Sequence, residues 1–253
     1  MLPASFIDML QKIVGGEYGV NPTLIYNEGW MLRLLLHYHH EGVSCFPIPS
    51  DAESKWFSEV QLPTAFKARH RGDPLSENRT NVDGAYGHLK IKTGTKSGLL
   101  LDKKAKSFIV LEAKMFSPLS SGIRSTPDFD QAARTVACMA RTIQASRASV
   151  ADIGDLGFYV VAPREQILKG VFSDHMKSLS IMGKVEARIE AYRKDVAIYE
   201  RLQLWKKRHF EPVLNRIQLR SISWEETIER MALISPEKAA IREFYGKCLG
   251  YAK

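Results

Sequence analysis

The sequence predicts an α/β fold. It consists of a central mixed sheet flanked by helices, in the order helix, strand, strand, strand, helix, strand, followed by a helical C-terminal extension. Three observations predict it. Short apolar runs bounded by glycine, proline or serine recur at 56–62, 82–91, 107–114 and 157–162, which is strand spacing. Two longer segments, at 21–41 and 129–148, place apolar residues three and four apart. From Asp174 onward the chain reads as almost entirely helical.

Each element has its own signal. After a short amphipathic opening segment at 1–16, Asn21-Pro22 reads as a helix cap followed by a proline suited to the first turn. Leu32, Leu35 and Leu36 give the helix an apolar face, and a proline-containing loop at 44–51 ends it. The first strand follows, with Pro63 as its stop. The stretch AFKARHRGDPLSENR lacks periodicity and predicts a mobile surface loop. The second strand comes next, glycines 94 and 98 mark a turn region, and SFIVLEAK is the strongest strand signal in the chain.

A loop containing Pro118 and Pro127 leads to the second helix, and GFYVVA forms a further buried strand stopped by Pro163. Beyond it, Met182, Val185, Ile189, Tyr192, Val196 and Tyr199 form a stripe that needs a partner helix or the domain body to cover it. Two shorter helices, after Ser223 and after Ser235, close the chain. The expected division is an α/β core at 1–172 and a helical extension at 173–253, packed on that core or on a partner, with a homodimer through these helices as one option.

At 253 residues the chain is long enough to bury a substantial core, and its net charge of +8 favours a polyanionic partner. Cys45, Cys138 and Cys248 are too scattered for a zinc site or a disulfide framework, which points to a reducing cytoplasm. Asp8 stands where a signal peptide carries basic residues, and no apolar run approaches the length of a membrane span.

The charged residues fall at informative places. Asp83 opens the second strand in NVDGAYG, while Glu112 and Lys114 end the third in FIVLEAK. If these strands pair antiparallel, the start of one lies beside the end of the other, which brings Asp83 next to Glu112. Glu112 and Lys114 are two apart, so both point to one face, about 7 Å apart along the strand.

Two converging carboxylates make a hard oxygen site of the kind Mg2+ or Mn2+ occupies, with room for water and a phosphate oxygen. Such an ion polarises a phosphoryl oxygen, and the lysine beside it orients water or balances developing negative charge, which is the chemistry of phosphodiester hydrolysis. The tripeptide acidic-x-Lys also occurs at Glu53-Ser54-Lys55 and Asp102-Lys103-Lys104. What selects the third copy is its place at the end of the best strand, behind a partner aspartate and ahead of a helix. The competing reading is a salt bridge at a sheet edge.

Asp83 with Glu112-Ala113-Lys114 resembles the signature of the PD-(D/E)XK, or restriction-endonuclease-like, nuclease superfamily, over roughly residues 21–162. Val82 stands where the signature has proline. The resemblance implies Asp83 and Glu112 as metal ligands, the Ala113 carbonyl as a further ligand and Lys114 as the catalytic lysine. It also implies an acidic residue from the first helix, which Glu28 matches. A polar residue on the helix after the third strand would correspond to Gln131, with Arg134 one turn on. The implied activity is metal-dependent cleavage of nucleic acid, DNA more than RNA. The alternative is a non-catalytic nucleic-acid-binding or assembly protein on the same scaffold.

Lys206, Lys207 and Arg208, beside Trp205, would grip a nucleic-acid backbone or form a solvated helix face. The cluster of His37, His39 and His40 lacks a defined further ligand and reads as packed or exposed residues more than as a metal site.

Overall fold

A computed structural model describes residues 9, 12–13, 20–77, 80–122 and 126–252. The opening amphipathic segment expected at 1–16 lies almost wholly outside the described residues. The described chain forms three layers, with a five-stranded mixed sheet between two sets of helices.

Helix α1 (Glu28–His40) is capped by Asn27, whose side chain accepts the Trp30 amide. The cap expected at Asn21 instead serves a separate turn of 3-10 helix, Pro22–Leu24. Strand β1 (Lys55–Leu62) pairs antiparallel with β2 (Thr80–Gly87), and β2 pairs antiparallel with β5 (Ser107–Ala113). Between them, β3 (Leu89–Ile91) and β4 (Leu99–Leu101) form a small hairpin of their own, so the single strand expected at 82–91 is two strands in two sheets.

Helix α2 (Gln131–Ala145) crosses over to β6 (Asp155–Ala162), which lies parallel to β5. Helices α3 (Arg164–Leu168), α4 (Ser178–Glu190) and α5 (Val196–Trp205) follow; a turn of π-helix, Lys206–Phe210, then leads into α6 (Glu211–Leu214). Strand β7 (Gln218–Ser223) joins the sheet parallel to β6, and α7 (Trp224–Arg230) and α8 (Ser235–Tyr251) end the described chain. The sheet order is β1-β2-β5-β6-β7.

Strand β5 is buried on both faces, as expected of a central strand in a three-layer fold. Phe108 and Val110 face α2, α4 and α5, whereas Ile109, Leu111 and Ala113 face α1, α7 and α8. Helix α2 is almost wholly enclosed, which explains its run of alanines: small side chains let it lie close to the sheet.

Two expectations about the C-terminal third need correction. Residues 173–253, expected to be almost entirely helical, include β7, which completes the same sheet as the first half. The apolar stripe also does not run through one helix, because a turn at 191–195 separates α4 from α5. Val185, Ile189 and Tyr192 are buried in the α2-side core, so this part of the stripe is an intramolecular seam.

The polar stretch expected to be a mobile loop is anchored where it is described. Phe66 is buried and stacks near Phe129, Tyr192 and Trp205, Asp73 takes a bidentate bond from Arg69, and the Leu75 carbonyl accepts from Arg188 and Tyr192. No helix among the described residues is long and apolar enough to cross a membrane.

Candidate functional site

The site begins with an irregularity in the sheet. Strand alternation puts residues an odd number apart on opposite faces. Val82 and Ala85 nonetheless both lie in the α2-side core, as do Val60 and the half-buried Phe57. Both strands therefore change face between these positions. Glu59 carries the change, with a positive φ of 54°, and the ladder skips from Ser58↔Gly84 to Val60↔Val82. Gly84 permits it on the other side: a Cβ there would stand 2.9 Å from Leu32 Cδ2 and 3.0 Å from Leu36 Cδ1 of α1.

Asp83 sits at this break. The β2–β5 ladder ends at Gly84↔Leu111, and one step further the Asp83 carboxylate replaces the missing strand carbonyl: Ala113 N–H donates to Asp83 Oδ2 at 2.8 Å. On the opposite side of β5, Lys114 N–H donates to the Val161 carbonyl of β6 at 2.8 Å. The end of β5 is thereby held between a side chain on one side and a strand on the other.

Glu112, with even parity, faces α2 and is only 2% exposed. Lys114 Nζ lies 2.9 Å from Glu112 Oε1, and Gln131 Nε2, at the first position of α2, donates to the same oxygen. Glu112 Oε2 is buried and accepts from no donor group, although a protonated Glu112 carboxyl can donate to Asp83. Burial and the neighbouring Asp83 carboxylate push the Glu112 carboxyl up from an ordinary 4.5 to about 8, against the opposing pull of Lys114. A buried carboxyl with an orphaned oxygen, raised by a second carboxylate, fits a divalent cation. The ion would satisfy the orphaned oxygen and offset the repulsion between the two acids.

Gln131 is itself held in place. Its Oε1 accepts the Ser120 backbone amide at 3.1 Å, its backbone N–H donates to the Ser120 carbonyl at 2.9 Å, and Arg134 donates to Ser120 Oγ at 3.2 Å. Just before it, Asp130 caps α2 through the Ala133 amide and also accepts from His175 and Lys184. Burial alone would raise the Asp130 carboxyl, but the bonds from Lys184, Ala133 and His175 outweigh it and hold it below the usual carboxylate range. On the far side, the Trp224 indole donates to the Lys114 carbonyl at 2.9 Å, so α7 backs the site.

The structure thus gathers Asp83, Glu112, Lys114 and Gln131, with Arg134 one bond removed through Ser120. It does not gather Glu28. That residue lies in the first turn of α1, where its charge acts on the Cys248 thiol of α8. Among the described residues no group of three His, Cys, Asp or Glu is placed to hold a metal ion, so Asp83 and Glu112 stand as a pair. Ala113 is fixed through its amide, and its side chain packs in the α1-side core.

Lys206, Lys207 and Arg208 lie in the π-turn, near the far end of α2, where Arg208 lines a cavity with Ala140 and Ile143. Lys206 is paired to Glu186 at 2.7 Å, which removes it as an unpaired cation. The histidine cluster does not form a site: His37 and His40 are exposed. His39 is buried, and its Nδ1 accepts the Cys45 amide.

Sequence reasoning missed Ser120, Asp130, His175 and Lys184. Asp130 carried a legible signal, an aspartate directly ahead of a helical pattern. The other three are brought in by tertiary packing alone. Comparison with protein-family models, with curated proteins and with solved structures finds no match.

Proposed function

We propose that this chain is a divalent-metal-dependent nuclease of the restriction-endonuclease-like class, hydrolysing phosphodiester bonds of nucleic acid, DNA more than RNA. The observation that carries the reading is Glu112: a buried carboxylate with an orphaned oxygen, facing Asp83 and bonded to Lys114 and Gln131. Element order adds support. Helix, three sheet strands, helix and strand follow one another as the resemblance implies, interrupted only by the β3–β4 hairpin.

Asp83 and Glu112 would hold Mg2+ or Mn2+, which supplies Lewis acidity toward a phosphoryl oxygen and a water. The remaining work falls to the chain's own groups. Gln131 and Lys114 fix Glu112 Oε1 and leave Oε2 for the ion. The Lys114 ammonium offers positive charge to the negative charge that develops on the phosphate. Arg134, held by Ser120, is half-exposed beside the site and is the nearest of the predicted phosphate-contacting residues.

The second reading is a non-catalytic nucleic-acid-binding protein on this scaffold. The ion pair of Lys114 with Glu112 and the lack of a third acidic ligand among the described residues favour it. One experiment separates the two. Labelled DNA and RNA are incubated with purified protein in Mg2+ or Mn2+, with EDTA and with the Glu112→Ala variant as controls. Cleavage abolished by EDTA and reduced by about a hundredfold or more in Glu112→Ala is expected. Undiminished cleavage in the variant rejects the site, and binding without cleavage in any metal leaves the second reading.

A further inference from the structure

Uncompensated positive charge borders a cavity at the opposite end of α2 from Glu112. Helix α2 offers solvent few positions; within its length Arg134, Arg141 and Gln144 are the half-buried ones, and Ala145 at its end is exposed. Arg141 is ten residues beyond Gln131, about 15 Å along the axis at the α-helical rise. There it borders a cavity of ≈ 260 Å³ together with Lys67, from the segment after β1, and Arg201 of α5. None of these three cations is paired with a carboxylate among the described residues; Arg141 donates only to the neutral amide oxygen of Gln144, at 2.6 Å.

Burial lowers the His209 pKa, and Arg141 and Arg208 lower it further. Positive charge is therefore concentrated here. The rest of the lining is Gln144 with Ala65, Leu202 and Trp205. Cations bordering a concave opening suit a ligand that carries an anionic group.

We propose that this pocket binds a phosphate of a nucleic-acid strand, held by Lys67, Arg141 and Arg201. Three cations from three separate segments border one opening, which favours a multiply charged phosphate over a monovalent carboxylate. The pocket is a second phosphate position, distinct from the one at Glu112, because α2 separates them. It rests on the nuclease reading only for the strand as the source of the phosphate.

The test uses the full chain in EDTA, so that turnover plays no part and failure of the nuclease reading leaves the result intact. Fluorescein-labelled single-stranded DNA is titrated by anisotropy across a range of salt, and a nucleoside 5′-monophosphate and its unphosphorylated nucleoside are titrated by calorimetry. The proteins are wild type, Lys67→Gln, the double variant Arg141→Gln/Arg201→Gln and a control, Arg193→Gln, whose side chain is exposed and paired to Glu190 away from the pocket. Thermal midpoints establish that each variant is folded.

The expected result is a loss of about tenfold or more in DNA affinity for the double variant, with a salt slope shallower by about one unit, a smaller loss for Lys67→Gln and none for Arg193→Gln. A monophosphate that binds and displaces the DNA assigns the pocket to a terminal or free phosphate. DNA binding that depends on the arginines but resists the monophosphate assigns it to an internal backbone phosphate. Wild-type affinity and salt slope in the double variant overturn the proposal, as does a nucleoside that binds as tightly as its monophosphate.

Discussion

Glu112 is under opposing influences that a pH titration can read. Burial and Asp83 raise its carboxyl to about 8, and Lys114 opposes them. Because the folded-state value lies above the ordinary 4.5, folding favours the protonated form. The stabilising contribution is complete below about pH 4.5 and is lost as pH climbs through about 8. Glu112→Gln keeps a neutral amide in the same space. The thermal midpoints of wild type and variant are expected to diverge in the variant's favour between about pH 5 and about pH 8, by more than about 1 kcal/mol, or roughly 2–4 °C for a chain of this size. A difference that does not change with pH would show that Glu112 is not held in this environment. His39 shows the opposite case: burial lowers it to about 4, so its neutral form belongs to the core and acid works against it.

At the scale of elements, backbone conformation sets the geometry that side chains then use. Gly87, the last residue of β2, has φ of 134°, and a Cβ there would stand 2.3 Å from the Ser107 carbonyl oxygen of β5. Gly183 is different, an interior residue of α4 with nothing within 4 Å of an added Cβ. Denaturant midpoints should therefore move in opposite directions. Gly87→Ala is expected to destabilise by about 1–3 kcal/mol or more through strain and the clash with β5, and Gly183→Ala to stabilise by about 0.5–1 kcal/mol through the entropy of the unfolded chain. Equal effects of the two would contradict the close approach of β2 to β5. The same approach brings the Asp83 carboxylate to Ala113, so Gly87→Ala should also loosen the site.

Across the whole molecule, the C-terminal third is part of the fold that supports the site. Strand β7 pairs with β6 over six positions, 157↔218 to 162↔223, and Trp224 bonds the carbonyl of Lys114 itself. Helices α4 and α5 cover the face of α2 that the sheet leaves open. A chain ending at residue 172 is expected to show no cooperative thermal transition, because it exposes one edge of β6, the outer face of α2 and the backing of Lys114. A fragment that melts cooperatively, with native-like near-ultraviolet circular dichroism, would return residues 173–253 to the status of an appendage.

How much of this was legible in the sequence follows from range. Strong local patterns determined α2, β1, β5 and β6 to within a few residues and the end of α1, whose start they placed too early, at Asn21 rather than Asn27; the strand-end position of Glu112 and Lys114 was readable because an apolar run breaks into charge there. Antiparallel pairing then made Asp83 a neighbour of Glu112 by geometry. Strand β7 was not legible: Gln218, Arg220, Ser221 and Ser223 give an edge strand with little apolar alternation, and only pairing with β6 makes it a strand. The change of face at Glu59 and Asp83, the separation of Glu28 from the acidic pair and the convergence of Lys67, Arg141 and Arg201 were decided by tertiary structure alone. Propensity and periodicity act over a few residues, whereas register and layer packing join side chains tens to more than a hundred positions apart.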